Sequence, residues 1–338
     1  MAWMKTNRAG RAVGVTSAAL AVSSALVAAV AVAAPAAAAG PRTITVQPGQ
    51  SVQAAVDQAA PGDTVALAAG LHAGPVVFRR DGQPGAPITL TGPDAALVSD
   101  GHVVDVDANN VTLTDVTLYG QPGIGWREYP QSPSLAQARA FKESMRGRAV
   151  DSRLIYIGRD RPGVTGVVVD RVTGRGAGGE CVRMRQGATG NTVSRSVFDW
   201  CGMFAKDREG KDPWHNGEAV YIGTSPKSTS QPMHDRDASS GNTVRASRLE
   251  PWGSECFNVK ENAHSNTMSG SLCQGNIESA EHGGSLVELR GPRNTVLGNT
   301  YGATAGARVK IKADPGYSAD GNRVDGQPQQ LPTPGVTR

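Results

Sequence analysis

The chain has 338 residues, of which 39% are hydrophobic and only 5% aromatic, with 42 glycines and a formal charge of +4. Three of its cations, Lys5, Arg8 and Arg11, precede an apolar run, so the remainder carries +1 and bulk electrostatics selects no partner. Abundant glycine, few aromatics and many short runs of Val, Ile, Leu and Thr point to an all-β repeat of one or two domains.

The first 39 residues read as a cleaved signal peptide: a basic start, an apolar stretch from 12 to 34, then the small residues "AAPAAAAGP". A membrane anchor is the competing reading, but no basic residue follows the run directly, and no later run is long and apolar enough to span a bilayer. The expected product is a secreted, extracellular and monomeric chain with no membrane attachment. Its segment "TITVQPGQSVQAAVDQAAPGDTVALAAG" reads as a strand, a short helix opened by Ser51, and a second strand after the "PGD" turn.

Further along, "GNTVSRS", "GNTVRAS", "SNTMSGS", "RNTVLGN" and "GNRV" recur. Asn242, Asn266, Asn294 and Asn322 fall 24, 28 and 28 residues apart. That period suits one coil of a solenoid, with asparagine stacked at one corner of each coil. A second set, "CVRMR", "AVYIG", "CFNVK", "LVELR" and "RVKIK", aligns in register, and the earlier "VVDVD" and "LIYIG" fit it. Alternation turns Val182, Met184, Val220, Ile222, Phe257, Val259, Val287, Leu289, Val309 and Ile311 inward. It leaves Arg183, Tyr221, Asn258, Glu288 and Lys310 outward.

Stacked parallel strands and a helix over one open end predict an all-β, right-handed parallel β-helix over residues 40–325 with an N-terminal capping helix. The Pro- and Gln-rich segment 326–338 is expected to be a flexible tail. Over nearly its whole mature length the chain resembles the pectate-lyase-like β-helix proteins.

The last outward position of successive strands reads Arg185, Gly223, Lys260, Arg290 and Lys312. Four cations at rung spacing match an extended acidic polysaccharide; a solvated edge that blocks further strand pairing is the alternative. A nucleic acid is not expected, because the chain is exported and has neither a nucleic-acid motif nor aromatic interleaving. Just before three strands stand Glu180, Glu218 and Glu255, which repel unless paired with the neighbouring cations or bridged by calcium. Insertions at 121–152, 203–216 and 223–240 bring Trp126, Tyr129, Trp214 and His215, which suit the walls of a sugar cleft or mark simple tolerance at solenoid corners. Four cysteines are an even number in an exported chain, and the preferred pairs are Cys181 with Cys201 and Cys256 with Cys273, among three possible connectivities.

β-Elimination of a uronic-acid polymer needs a base for the proton α to the carboxylate and a cation for the charge that develops there. Lys260 can be that base if Arg290 and a bound cation lower its pKa. The order "NGEAVYIGTS", "GSECFNVKEN" and "GGSLVELRGPRN" resembles the chondroitinase-B and alginate-lyase family of polysaccharide lyases. That resemblance implies Lys260 as base, Arg290 as the catalytic arginine, and Glu255 and Asn216 as calcium ligands, and the stacked row of glutamates adds Glu218 to that expected set. Arg185, Trp214, Tyr221, Lys310 and Lys312 are the expected substrate contacts. The chain departs from the family pattern at "GPRN", where a histidine is expected after the arginine, and at Gly253, where a second acidic ligand is expected. A C5-epimerase, a glycoside hydrolase using two of Glu218, Glu255, Glu261 and Glu288, and a non-catalytic carbohydrate-binding solenoid stay open beside the lyase.

Overall fold

The computed structural model describes residues 40–206, 213–279, 281, 283–325 and 329–330. The expected signal peptide lies outside the described residues, as does most of the expected tail. Of that tail, Gln329–Gln330 forms a strand paired with Lys310–Ile311.

Three sheets of ten, eight and nine strands, all parallel, build a right-handed β-helix. Each complete coil contributes one strand to each sheet in turn, as in Thr192–Ser194, Val197–Asp199 and Val220–Ile222. Sequence neighbours therefore lie at successive corners, and residues one coil apart lie side by side. The third sheet aligns the expected set: Val182, Val220, Phe257, Val287 and Val309 pair rung to rung, and all five are buried. Tyr156 pairs with Asp105 on the outward row of the same sheet.

Asparagine fixes the first corner. The Asn242 side chain accepts at Oδ1 from the Asn191 backbone N–H at 3.1 Å and from its Nδ2 at 3.0 Å, and Asn266 serves Asn242 at 3.0 and 2.9 Å. Asn294 and Asn322 continue the ladder. A second ladder, absent from the sequence reading, runs beside it through Ser196, Ser247 and Ser271 to Asn299. Both ladders satisfy turn N–H groups that the sheets cannot reach.

The N-terminal helix α1 (Val52–Gln58) is capped by Ser51, whose hydroxyl accepts from the Ala54 N–H at 3.1 Å. It lays Val52, Ala55 and Val56 onto the core at the open end. Both preferred disulfides are present, with Cα–Cα distances of 5.4 Å for Cys181–Cys201 and 5.8 Å for Cys256–Cys273. Each ties neighbouring coils at the corner between the second and third sheets.

The 121–152 insertion carries a helix that the sequence reading left as loop, α2 (Leu135–Met145). Its Ser134 and Gln137 form a capping box. Tyr129, Trp214, Trp200 and Trp252 are buried in a second apolar cluster beneath this insertion. Trp214 and Tyr129 are therefore packing residues and not cleft walls: Trp214 is 3% exposed and does not line the cleft described below. Among the described residues, no helix is long and apolar enough to cross a membrane.

Candidate active site

The outward row of the third sheet, Tyr156, Arg183, Tyr221, Asn258, Glu288 and Lys310, is one residue from each of six consecutive rungs. It forms the floor of a groove. Two adjoining hollows occupy that groove, of about 560 and 380 Å3, sharing Asn216, Tyr221, Lys227 and Ser228. The larger gathers Glu218, Glu255, Lys260, Arg290, Lys310 and Lys312, and the smaller holds Arg185. Nine of the ten site residues expected from sequence thus meet in one groove, and Trp214 is the exception.

Its two edges carry opposite charge. Glu180, Glu218 and Glu255 precede the strands, and Arg185, Lys260, Arg290 and Lys312 follow them. The missing cation is at Gly223, which has φ +85°; a Cβ there would lie 2.9 Å from the Ala263 Cβ and 3.3 Å from the Lys260 Cβ. Glycine at this rung keeps both the left-handed turn and the space beside Lys260.

Lys260 is 8% exposed and makes no ion pair among the described residues; its Nζ lies 4.6 Å from the centroid of the Tyr221 ring. Arg183 and Arg185 each approach the same ring at 5.2 Å. Burial lowers the Lys260 pKa, and Arg290 acts in the same direction. Tyr221, Glu288 and Glu218 outweigh both, and the pKa is raised. Arg290 by itself therefore does not leave the Lys260 pKa lowered, and the expected lowering would need the bound cation as well. Burial also raises the Tyr221 phenol, against the pull of Lys260 and Arg185.

Arg290 is itself held by Glu261 at 3.1 Å, Glu288 at 3.1 Å and Asp314 at 3.4 Å. Lys310 pairs with Glu288 at 3.1 Å and donates to the Gly283 carbonyl at 2.7 Å, while Lys312 lies 3.8 Å from Asp314. Burial would raise Glu288, but Arg290, Lys260 and Lys310 hold its pKa at about 2.

The acidic edge is compensated unevenly. Glu180 pairs with Arg153 at 2.8 Å and with Arg183 at 3.4 Å. Glu218 and Glu255 have no cation within ion-pair distance among the described residues; Asn258 Nδ2 reaches them at 3.4 and 3.2 Å. Glu218 Oε2 and Asn258 Oδ1 are buried without a hydrogen-bond partner. Burial, together with Glu180 and Glu255, pushes the Glu218 pKa well up; burial and Glu288 raise Glu255. Among the described residues no three His, Cys, Asp or Glu side chains group as a metal site. Glu218, Glu255 and the amides of Asn216 and Asn258 offer hard oxygens of the kind calcium takes, and Glu278, joined to Glu255 through the Ser254 hydroxyl, lines the same hollow.

Asn258 was read from sequence as outward and given no role. Asp314 and Lys227, which pair at 2.9 Å, were missed, and Glu261 was named only as a candidate hydrolase carboxylate, because all three stand outside the aligned strands.

No protein-family model matches the sequence, and no curated protein matches it. Among solved structures, the chain is similar to an alginate lyase from Paenibacillus sp. str. FPU-7 at 18% identity and a TM-score of 0.60, over 86% of this chain and 96% of that one. It also matches a pectate lyase at 14% identity and a TM-score of 0.44, over 85% and 78% of the two chains. A mannuronic acid specific family 6 lyase from human gut microbiota matches at 14% and 0.45, over 84% and 64%. The alginate-lyase match places the described chain in the right-handed parallel β-helix fold.

Proposed function

We propose that the chain is a secreted polysaccharide lyase that cleaves a uronic-acid polymer by β-elimination, with Tyr221 and Lys260 as its proton-handling pair. The observation that carries this reading is Lys260 beside the Tyr221 ring on the floor of a groove whose following edge is cationic. Elimination breaks the C5–H bond and the C4–O bond of one uronate and leaves a C4–C5 double bond. One member of the pair takes the C5 proton, and the other gives a proton to the departing oxygen. Arg185, Lys310 and Lys312 hold the polymer's carboxylates along the groove, and Arg290, bound to three carboxylates, sets the position of Glu288 and Glu261. The Glu218 and Glu255 carboxylates of the facing edge, with Glu218 Oε2 and the Asn258 Oδ1 of the floor buried and unpartnered, fit a calcium ion held by Glu218, Glu255, Asn216 and Asn258. Bound there, it would supply positive charge for the developing enolate. The disulfides support export, and the similarity to an alginate lyase supports an acidic polymer.

Lys260→Ala and Tyr221→Phe should each lower the rate of unsaturated-uronate formation by about 10²- to 10⁴-fold, the range for a lost general acid or base, while substrate binding persists. Full activity in both variants would remove the pair from the chemistry.

A hydrolase has one specific observation in its favour. Glu218 is pushed up while Glu288 is held at about 2, the divergence expected of an acid and a base. Its product would carry no double bond.

A further inference from the structure

The smaller hollow contains a cation with no anion within ion-pair distance, because the Glu180 carboxylate that shares the hollow is taken by Arg153 and Arg183. Arg185 is 2% exposed, makes no ion pair among the described residues, and has Nε without a hydrogen-bond partner. A guanidinium taken out of water without a carboxylate carries a desolvation cost that a ligand anion would offset. Its hydrogen-bond partner is neutral: Arg185 donates from one terminal nitrogen to Gln231 Oε1 at 2.9 Å, beside the Tyr221 ring, while Glu180 acts on it from beyond ion-pair distance.

Gln231 belongs to a strap, residues 225–231, whose members line both hollows. Two side-chain ties of unequal kind join it to the groove, and the Pro226 carbonyl also meets His234 Nδ1 at 3.1 Å within the same loop. Gln231 holds Arg185 by one neutral acceptor, and Lys227, with a side chain 70% exposed, pairs with Asp314. Only the lysine end of that pair is exposed, and the buried Asp314 keeps Arg290 and Lys312 as partners when Lys227 leaves. The stem, by contrast, is fixed: the buried Asp237 carboxylate accepts from the backbone N–H groups of Gln186 and Gly187, both at 2.9 Å, and from the Thr224 hydroxyl at 2.7 Å. The strap can lift while the turn that follows Arg185 stays in place.

We infer that Arg185 is a carboxylate subsite latched shut by Gln231, and that a sugar carboxylate enters by displacing the glutamine amide and lifting the 225–231 strap. The inference rests on the uronate reading for the identity of its ligand. The amide oxygen occupies the place of one carboxylate oxygen, and exchanging it for a charged acceptor strengthens the bond to the guanidinium. The latch reduces apparent affinity by the fraction of molecules in which it is closed.

The test is calorimetric titration of tetragalacturonate and tetramannuronate into variants built on Lys260→Ala, which removes turnover, with melting curves to establish folding. Gln231→Ala should bind one of them roughly 3- to 10-fold more tightly, since the competent state is freed. Gln231→Glu, which supplies its own carboxylate, should bind at least about tenfold more weakly. In Arg185→Ala the identity of residue 231 should cease to matter. Equal affinity for all three residue-231 forms, or an effect of Gln231→Glu that survives Arg185→Ala, would overturn the latch. Binding that depends on residue 231, with no unsaturated product from the unaltered chain, would sink the lyase reading and leave the subsite standing. Absence of binding to every variant would overturn both.

Discussion

Lys260 and Tyr221 share one physical circumstance: both are buried, and both have raised pKa values. Whichever of them accepts the C5 proton must first be deprotonated. A raised pKa means that this form is scarce at neutral pH and grows as pH rises. The elimination rate should therefore climb through pH 8 and above, on the scale of the ordinary lysine and tyrosine values near 10. A kcat/KM profile already flat between about pH 6 and 9 would contradict the assignment. The residue scale is also where sequence reading was least reliable. Lys260 and Tyr221 were legible because alternation along a strand fixes which side chains face out. Whether Lys260 was held charged or neutral was not legible, because Glu288 and Glu218 reach it only across neighbouring coils. Trp214 was misplaced for a related reason. It adjoins His215 and Asn216, which do line the groove, but its own side chain turns into the aromatic cluster on the other side of the chain.

At the level of elements, the corner between the second and third sheets carries much of the site. Glu180 immediately precedes Cys181, and Glu255 precedes Cys256, so each disulfide anchors the backbone beside an acidic-edge residue. These staples close loops of 20 and 17 residues, for which chain-entropy arguments give about 3 kcal/mol each. Replacing Cys256 and Cys273 together by alanine should lower the melting temperature by several degrees and reduce activity further than the corresponding loss of Cys181–Cys201, since Glu255 shares its coil with Lys260. An unchanged melting temperature and rate would show that the coils need no staple there. The pairing was readable from spacing, because a loop of about one coil returns the chain to a neighbouring corner. Helix α2 was missed although its capping-box signal, Ser134 with Gln137, stands in the sequence. Its apolar side packs on the aromatic cluster and not on the solenoid core, so no solenoid periodicity announced it.

On the scale of the whole molecule, the repeat is self-consistent in a way that made the fold legible from sequence. Asparagine at one corner, alternating apolar residues on each strand and a helix over the first coil all demand the same architecture. A stack of parallel strands converts one-residue-per-coil patterns into continuous edges, one acidic and one basic, and this is why a groove with two charged sides could be drawn before any coordinates. The two unpaired carboxylates on that acidic edge also carry a prediction for the folded state as a whole. A cation that binds them in the native chain and not in the unfolded one stabilises by mass action, about 2.7 kcal/mol at a hundredfold excess over Kd. The melting temperature should rise with added calcium, and Glu218→Gln with Glu255→Gln should abolish the rise. A melting temperature indifferent to calcium would remove the ion from the site.

The measurement that bears most directly on the function is product analysis. The purified mature chain is incubated with alginate, pectate, glucuronan and chondroitin, and the ultraviolet absorbance of the unsaturated uronate is followed alongside the count of new reducing ends. On at least one polymer the two should rise together, and both should be lost in Lys260→Ala. New reducing ends without absorbance would contradict the elimination and assign the groove to a hydrolase; no product on any polymer from a folded chain would leave it a recognition surface.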